Sequence, residues 1–312
     1  MKSPWRGSTL GPRPLPSVSC RKLGKVSIFV LGTCLLSGCV STGQGSTPLA
    51  EKKEVSPTSG LAPCSERMSA ARAPRLDPGV PAEQGLKDSF GAERLLGVDE
   101  NVSVLPSADG KTEILRVRYP KGSVNFGSAK KGRPLGGAAF YAPFNAGDVS
   151  CIHYKVRFPE GFEFVKGGKL PGLYGGEAPS GGDEVSGTNG WSVRLMWRKD
   201  GAGELYEYIV NKKKDYGLSV GRGAFSFPRG RWVAVDLEVD INEPGQQDGV
   251  ARLWIDGKPV IEQSDIVYWT TDRRDDGGLM FSTFFGGSDD SWASPKDQYV
   301  DFSDFRLYAK RR

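Results

Sequence analysis

From about residue 100 onward, apolar and polar positions alternate with a period of two in one short segment after another. Gly, Asp, Pro or Asn bound most of these segments. The spacing predicts strands over 101–106, 111–119, 138–143, 150–158, 191–198, 205–210, 231–239, 249–255, 279–286 and 300–309. In the fourth of these, Ile152, Tyr154, Val156 and Phe158 fall on one face, and His153, Lys155 and Arg157 on the other. Asp256-Gly257 reads as a hairpin turn between 252–255 and 260–261. No convincing long helix and no internal repeat interrupts the series. About ten or more strands without crossover helices predict an all-β fold, a single jelly roll or two-sheet antiparallel sandwich over 81–312.

Upstream the pattern changes. The basic stretch Arg21-Lys22-Leu23-Gly24-Lys25 precedes an apolar run over 26–36, too short to span a bilayer and suited to a secretion signal. The run ends in Leu36-Ser37-Gly38-Cys39, which resembles the bacterial lipobox, where cleavage precedes a Cys that is then diacylated. Residues 1–38 are therefore expected to be a lipoprotein signal peptide, with Cys39 as the lipidation site. Each buried CH₂ of such an anchor contributes about 0.8 kcal/mol toward holding a protein on a membrane. Val40 rather than Asp after Cys39 favours the outer membrane of the bacterial envelope. An ordinary signal peptide with an incidental Cys is the alternative. Residues 41–63 are mostly Ser, Thr, Gly and Pro around Glu51-Lys52-Lys53-Glu54, so 39–80 is predicted to be a flexible tether, with order beginning near 77–86.

Composition narrows function by exclusion. Of 312 residues, 15 are Phe, 7 Trp and 10 Tyr, enough aromatic bulk for one sizeable core. Lys and Arg number 42 against 37 acids, but six of the cations lie in the acid-free stretch 1–38. Without it the balance is 36 against 37, a net charge of −1, and the case for a nucleic-acid partner loses its support. A lone His153 excludes a His-rich zinc site and, with no G-x-S-x-G elbow, argues against a serine triad. There is no Walker loop, no dinucleotide fingerprint after a strand and no paired C-x-x-C. Acid–base chemistry is left to Tyr, Lys or a carboxylate, and no cofactor is expected. Of five Cys, Cys20 and Cys34 depart with the signal and Cys39 takes the lipid. Cys64 and Cys151 remain as a candidate disulfide in an oxidising compartment, subject to geometry.

One hairpin carries the chemical signal. Trp191, Val193, Leu195 and Trp197 form an apolar face, and Ser192, Arg194 and Met196 the opposite one. Leu205 and Ile209 are apolar on the next strand, with Tyr206 and Tyr208 pointing the other way. A turn centred on Gly201 places Arg194 opposite Tyr208 and Met196 opposite Tyr206, with Ser192 on the same face. Burial of the apolar set disfavours a one-residue slip. Glu207 falls on the core face. Just upstream, Lys166-Gly167-Gly168-Lys169-Leu170-Pro171-Gly172-Leu173-Tyr174-Gly175-Gly176 is Gly-rich with two cations, and Gly permits close approach to a ligand. An ordinary hairpin with polar residues facing water is the plain alternative.

Taken in order, Gly-Gly-Lys-Leu-Pro-Gly-Leu at 167–173, Ser192-x-Arg194 and Tyr206-x-Tyr208 resemble polysaccharide lyase family 14, with some similarity to the family 20 glucuronan lyases. The resemblance covers roughly 85–310, including Asp301-Phe302-Ser303-Asp304-Phe305-Arg306-Leu307-Tyr308 as a last strand. It implies a β-jelly-roll that cleaves alginate or a glucuronate polymer by β-elimination, and it implies that Lys169, Ser192, Arg194, Tyr206 and Tyr208 serve catalysis. The residue types suit that chemistry. A planar Arg194 fork binds the substrate carboxylate and stabilises an enolate-like transition state. A tyrosine needs neighbouring positive charge to act as a base. Tyr208 is placed in that role because it is expected opposite Arg194, with Lys169 helping either the carboxylate or the tyrosine.

Other residues divide between site and scaffold. His153, Lys166, Tyr174 and Trp292 are candidate substrate-binding residues, although His153 has a structural reading as well. Lys212-Lys213-Lys214 reads as a solvated turn or an attractor of polyanions. Ser288-Asp289-Asp290-Ser291 reads as a plain acidic turn or a structural Ca²⁺ loop. The run 283–287 with Trp292 reads as a groove wall or a core strand plus loop. The partner expected is an acidic polysaccharide. A carbohydrate-binding module on the same fold and a structural envelope lipoprotein are the other classes.

Overall fold

The alternating segments pair into two antiparallel sheets of seven strands each in a computed structural model of the chain. The structure describes residues 60–311, apart from 109, 145–146, 213–215, 273–276 and 288. The expected signal, the lipidation site and the first half of the expected tether therefore lie outside the described residues. The front sheet contains β1 (Glu93–Leu96), β4 (Ala138–Phe144), β6 (Gly167–Gly176), β7 (Gly190–Arg198), β8 (Gly203–Tyr208), β9 (Leu218–Val220) and β13 (Gly277–Phe285). The back sheet contains β2 (Val102–Pro106), β3 (Glu113–Tyr119), β5 (Val149–Arg157), β10 (Trp232–Asp240), β11 (Gly249–Ile255), β12 (Lys258–Ile266) and β14 (Gln298–Lys310). The spatial orders are β1-β4-β13-β6-β7-β8-β9 and β12-β11-β10-β5-β14-β3-β2.

The inner faces of the two sheets share one apolar core. Ile152, Tyr154 and Val156 enter it from the back sheet, and Val193, Leu195 and Trp197 from the front. Aromatic rings meet edge to face at its centre, with Phe162 5.9 Å and Phe285 5.4 Å from Trp197. All ten segments predicted from alternation are strands. β6 was hidden because its Gly and Pro residues break the pattern. Their smallness is required: a Cβ on Gly172 would lie 2.0 Å from the Val193 carbonyl oxygen and 2.5 Å from the Arg194 Cα. Close pairing of β6 with β7 thus fixes the backbone under Arg194.

Two departures concern the chain before the first strand. A helix, α2 (Ala82–Phe90), follows a shorter one, α1 (Cys64–Arg67). Leu86 and Phe90 stack at i, i+4 into the core, and Gly91 ends α2 in a left-handed conformation at φ 63°. The ordered chain also begins earlier than the boundary expected near 80. Trp254 Nε1 donates to the Leu61 carbonyl at 3.0 Å, Arg67 pairs with Glu238, and Arg72 bridges to Leu307. Cys64 and Cys151 form the disulfide, across 87 residues of sequence. Residues 61–72 are therefore strapped across the outer face of the back sheet. Among the described residues, no helix is long and apolar enough to cross a membrane.

Candidate active site

The outer face of the front sheet forms the floor of a cleft of about 730 Å³. Period two brings Lys169 from β6, Arg194 and Met196 from β7, and Tyr206 and Tyr208 from β8 to this floor. β7 and β8 pair as Ser192 with Tyr208, Arg194 with Tyr206, and Met196 with Glu204. The predicted faces hold but the register differs by two residues. The turn centres on Asp200, at φ 58°, rather than on Gly201, so Arg194 faces Tyr206 instead of Tyr208.

Arg194 is 2% exposed, and its Nη1 donates to Ser282 Oγ at 3.3 Å. Its Nε is buried with no acceptor among the described residues. Burial lowers its pKa from the usual arginine value, while the nearby tyrosines favour the charge. A buried cation with an unspent donor on a cleft floor is suited to an anionic ligand.

Lys169 has a different environment. Its Nζ lies 3.4 Å from the centroid of the Tyr206 ring and 2.8 Å from Met196 Sδ. Burial first, and then the charges of Arg194 and Arg198, push its pKa well below the ordinary lysine value. Glu204 opposes this, but it is itself held between Arg198 Nε at 2.8 Å and Arg222 Nε at 2.5 Å. No described carboxylate pairs with Lys169.

The tyrosine rings lie 5.9 Å apart, edge to face. Burial, and then Tyr208, push the Tyr206 hydroxyl up to about 12. The Tyr208 oxygen accepts the Gly182 N–H at 3.0 Å. Gly217 makes room for both rings, since a Cβ there would lie 2.7 Å from Tyr206 Cε1 and 2.8 Å from Tyr208 Cε2.

Other candidate residues stand at different distances from the cleft. Trp292 lines it, as do Phe126 and Phe284, whose rings are 4.6 Å apart. Phe284 thus belongs to the wall, whereas Thr283 and Phe285 are buried in the core. Lys166 does not line the cleft; its Nζ donates to Ser291 Oγ at 2.6 Å and lies 5.9 Å from the centroid of the Trp292 ring. Ser192 is fully buried and donates to the Pro179 carbonyl at 2.6 Å. It holds the loop whose Ser180 and Gly181 overhang the tyrosines. Tyr174 is buried against Tyr141 at 5.2 Å, and burial pushes its hydroxyl up to about 12.

His153 is corrected more fully. It lies in the back sheet, between Asp236 Oδ1 at 3.1 Å and Asp304 Oδ2 at 3.7 Å, and lines no part of the cleft. Burial alone would lower its pKa, but hydrogen bonds to the two carboxylates outweigh it and raise the value to about 9. In the acidic turn, Asp289 Oδ1 accepts the Ser291 N–H at 2.9 Å and Asp290 pairs with Arg133. Ser288, Lys213 and Lys214 lie outside the described residues. Sequence reasoning gave no role to Arg198, Ser282, Tyr141 or Arg94, all of which line the cleft. Period two within 279–286 was the available signal for Ser282, which shares a face with Met280 and Phe284.

A search of the curated proteins found no match. The solved alginate lyase of family 14 from Aplysia kurodai is 30% identical, with a TM-score of 0.66, over 78% of this chain and all of that one. The alginate lyase Aly36B, solved as a variant in complex with an alginate tetrasaccharide, is 26% identical, with a TM-score of 0.62, over 77% of this chain and 93% of that one. The alginate lyase vAL-1 from Chlorella virus, at 22% identity and a TM-score of 0.64 over 78% of this chain and all of that one, shares the fold. The family model described as Polysaccharide lyase 14 matches residues 107–305, a span that holds most strands of both sheets and the cleft floor just described. The chain belongs to polysaccharide lyase family 14.

Proposed function

We propose that this polysaccharide lyase cleaves a polyuronate, alginate or a close relative, by β-elimination in the front-sheet cleft. The observation that carries the reading is Arg194, a buried cation with an open Nε, beside the depressed Lys169 and the protonated Tyr206. The Arg194 fork takes the carboxylate of the reacting sugar and stabilises the negative charge that develops when the C5 proton leaves. Lys169, whose surroundings favour loss of its own proton, takes that proton. The C5 electron pair forms the C4=C5 double bond as the C4–O bond breaks, and Tyr206 supplies the proton for the departing oxygen. Tyr208 and Ser192 position the overhanging loop through Gly182 and Pro179. A lipid on Cys39 at the bacterial outer membrane belongs to the same proposal. Palmitate labelling that persists in Cys39→Ser would end that part of it.

The test offers poly-mannuronate, poly-guluronate and glucuronan to the protein and follows the ultraviolet absorbance of the unsaturated product. A rise on one polymer that is lost in Arg194→Ala supports the reading and names the substrate. Retention on a polyuronate column without any rise replaces it with a binding module.

A further inference from the structure

The end of the cleft farthest from the tyrosines is formed by the edge strand β1, through Arg94 and Leu96. Arg94 is half-exposed, and its guanidinium carbon lies 3.8 Å from the centroid of the Tyr141 ring. The carboxylate recorded against it is that of its neighbour Glu93, at 3.5 Å and itself half-exposed. Pairs of this kind contribute little and yield readily to a better anion. The Arg94 backbone sits at φ 52°, and the pairing of β1 with β4 is irregular between Glu93 and Leu96. A break of this kind re-aims a side chain, and strain in a non-glycine residue is often retained where a site needs it. Here the re-aimed side chain is a cation placed on the cleft face, next to Leu96, an exposed apolar residue.

Four strand spacings, β1 to β4 to β13 to β6 to β7, separate Arg94 from Arg194, roughly 19 Å in all. A polyuronate carries one carboxylate on every sugar unit. A chain held by Arg194 at the reacting unit therefore offers further carboxylates along the cleft toward β1.

We infer that Arg94, held over the Tyr141 ring and flanked by Leu96, forms a distal subsite that binds the carboxylate of a sugar unit several positions from the bond being cleaved. The inference rests on the polyuronate reading above. The planar fork supplies a bidentate grip, the aromatic ring preorganises it, and Leu96 offers an apolar patch to the sugar's C–H face. The subsite makes long chains better substrates than short ones, chiefly through binding.

The test measures kcat/KM of the whole protein on oligouronates of increasing length and on the polymer, for wild type, Arg94→Ala and Arg94→Lys. In wild type, kcat/KM is expected to climb until the oligomer spans the cleft. In Arg94→Ala, the ratio of polymer to shortest cleaved oligomer falls about tenfold, mainly through KM. Arg94→Lys recovers part of the ratio, because charge remains while the fork is lost. Taking a ratio removes any uniform loss from poor folding. An Arg94→Ala ratio equal to that of wild type overturns the subsite alone. A wild-type protein that cleaves no polyuronate of any length overturns the polyuronate reading and the subsite with it.

Discussion

Lys169 and Tyr206 are in contact, yet the same pocket moves them toward opposite tasks. Burial disfavours charge on both, so the amine tends to lose its proton and the phenol to keep one. In the proposed reaction, proton acceptor and donor then lie side by side without a histidine or a carboxylate in either role. A pH dependence follows. The acceptor must be neutral, so kcat/KM rises with pH as Lys169 deprotonates, well below the usual lysine value, and falls when Tyr206 ionises near about 12. In Lys169→Ala the rising limb disappears and turnover falls roughly 10²–10⁴-fold. If Lys169→Ala keeps both its limb and its rate while Tyr208→Phe is inactive, Tyr208 is the acceptor.

Within the elements, alternation told which residues share a face but not what lies over that face. Ser192, Arg194, Tyr206 and Tyr208 were all legible as one polar set on adjacent strands. The loop 177–184 then buries Ser192 and engages Tyr208, and no periodicity in the strand announces a loop that folds back. Register depended on the turn, where a left-handed Asp200 moved the centre by one residue and the pairing by two. β6 was legible as a glycine-rich motif and illegible as a strand, since its glycines answer to backbone approach rather than to burial. Gly217 works similarly, and its substitution is a test at this scale. Gly217→Ala forces the rings of Tyr206 and Tyr208 aside, so activity should drop at least tenfold while stability falls by about 1–3 kcal/mol. Kinetics beside a thermal melt checks both, and full activity would mean that the ring positions are not critical.

At the scale of the molecule, the two sheets divide the work. The front sheet keeps two cations, Lys169 and Arg194, on its outer face with no carboxylate partner among the described residues. The back sheet pairs its own: Arg116 and Arg157 share Asp301, Arg67 and Arg252 share Glu238, and His153 is held between two carboxylates. His153 was a candidate for the substrate as well as for the scaffold, because it falls on the polar face of a strand that alternates like any other. Which of two sheets a strand joins is decided by contacts distant in sequence. Its raised pKa gives a stability prediction. The folded value of about 9 exceeds the unfolded 6.5, so the contribution is complete below about pH 6.5 and lost as pH rises through 9. The shift corresponds to at most about 3 kcal/mol. Denaturant midpoints for wild type and His153→Gln should differ at pH 6 and converge toward pH 9. A constant difference across that range would sink the assignment.

The strap over the back sheet has a directional consequence. Leu61 is bound to Trp254 and Cys64 to Cys151 on the face opposite the cleft. The first described residues are thus fixed to the sheet that does not carry the cleft, and a hold on them leaves the cleft face uncovered for a long polymer.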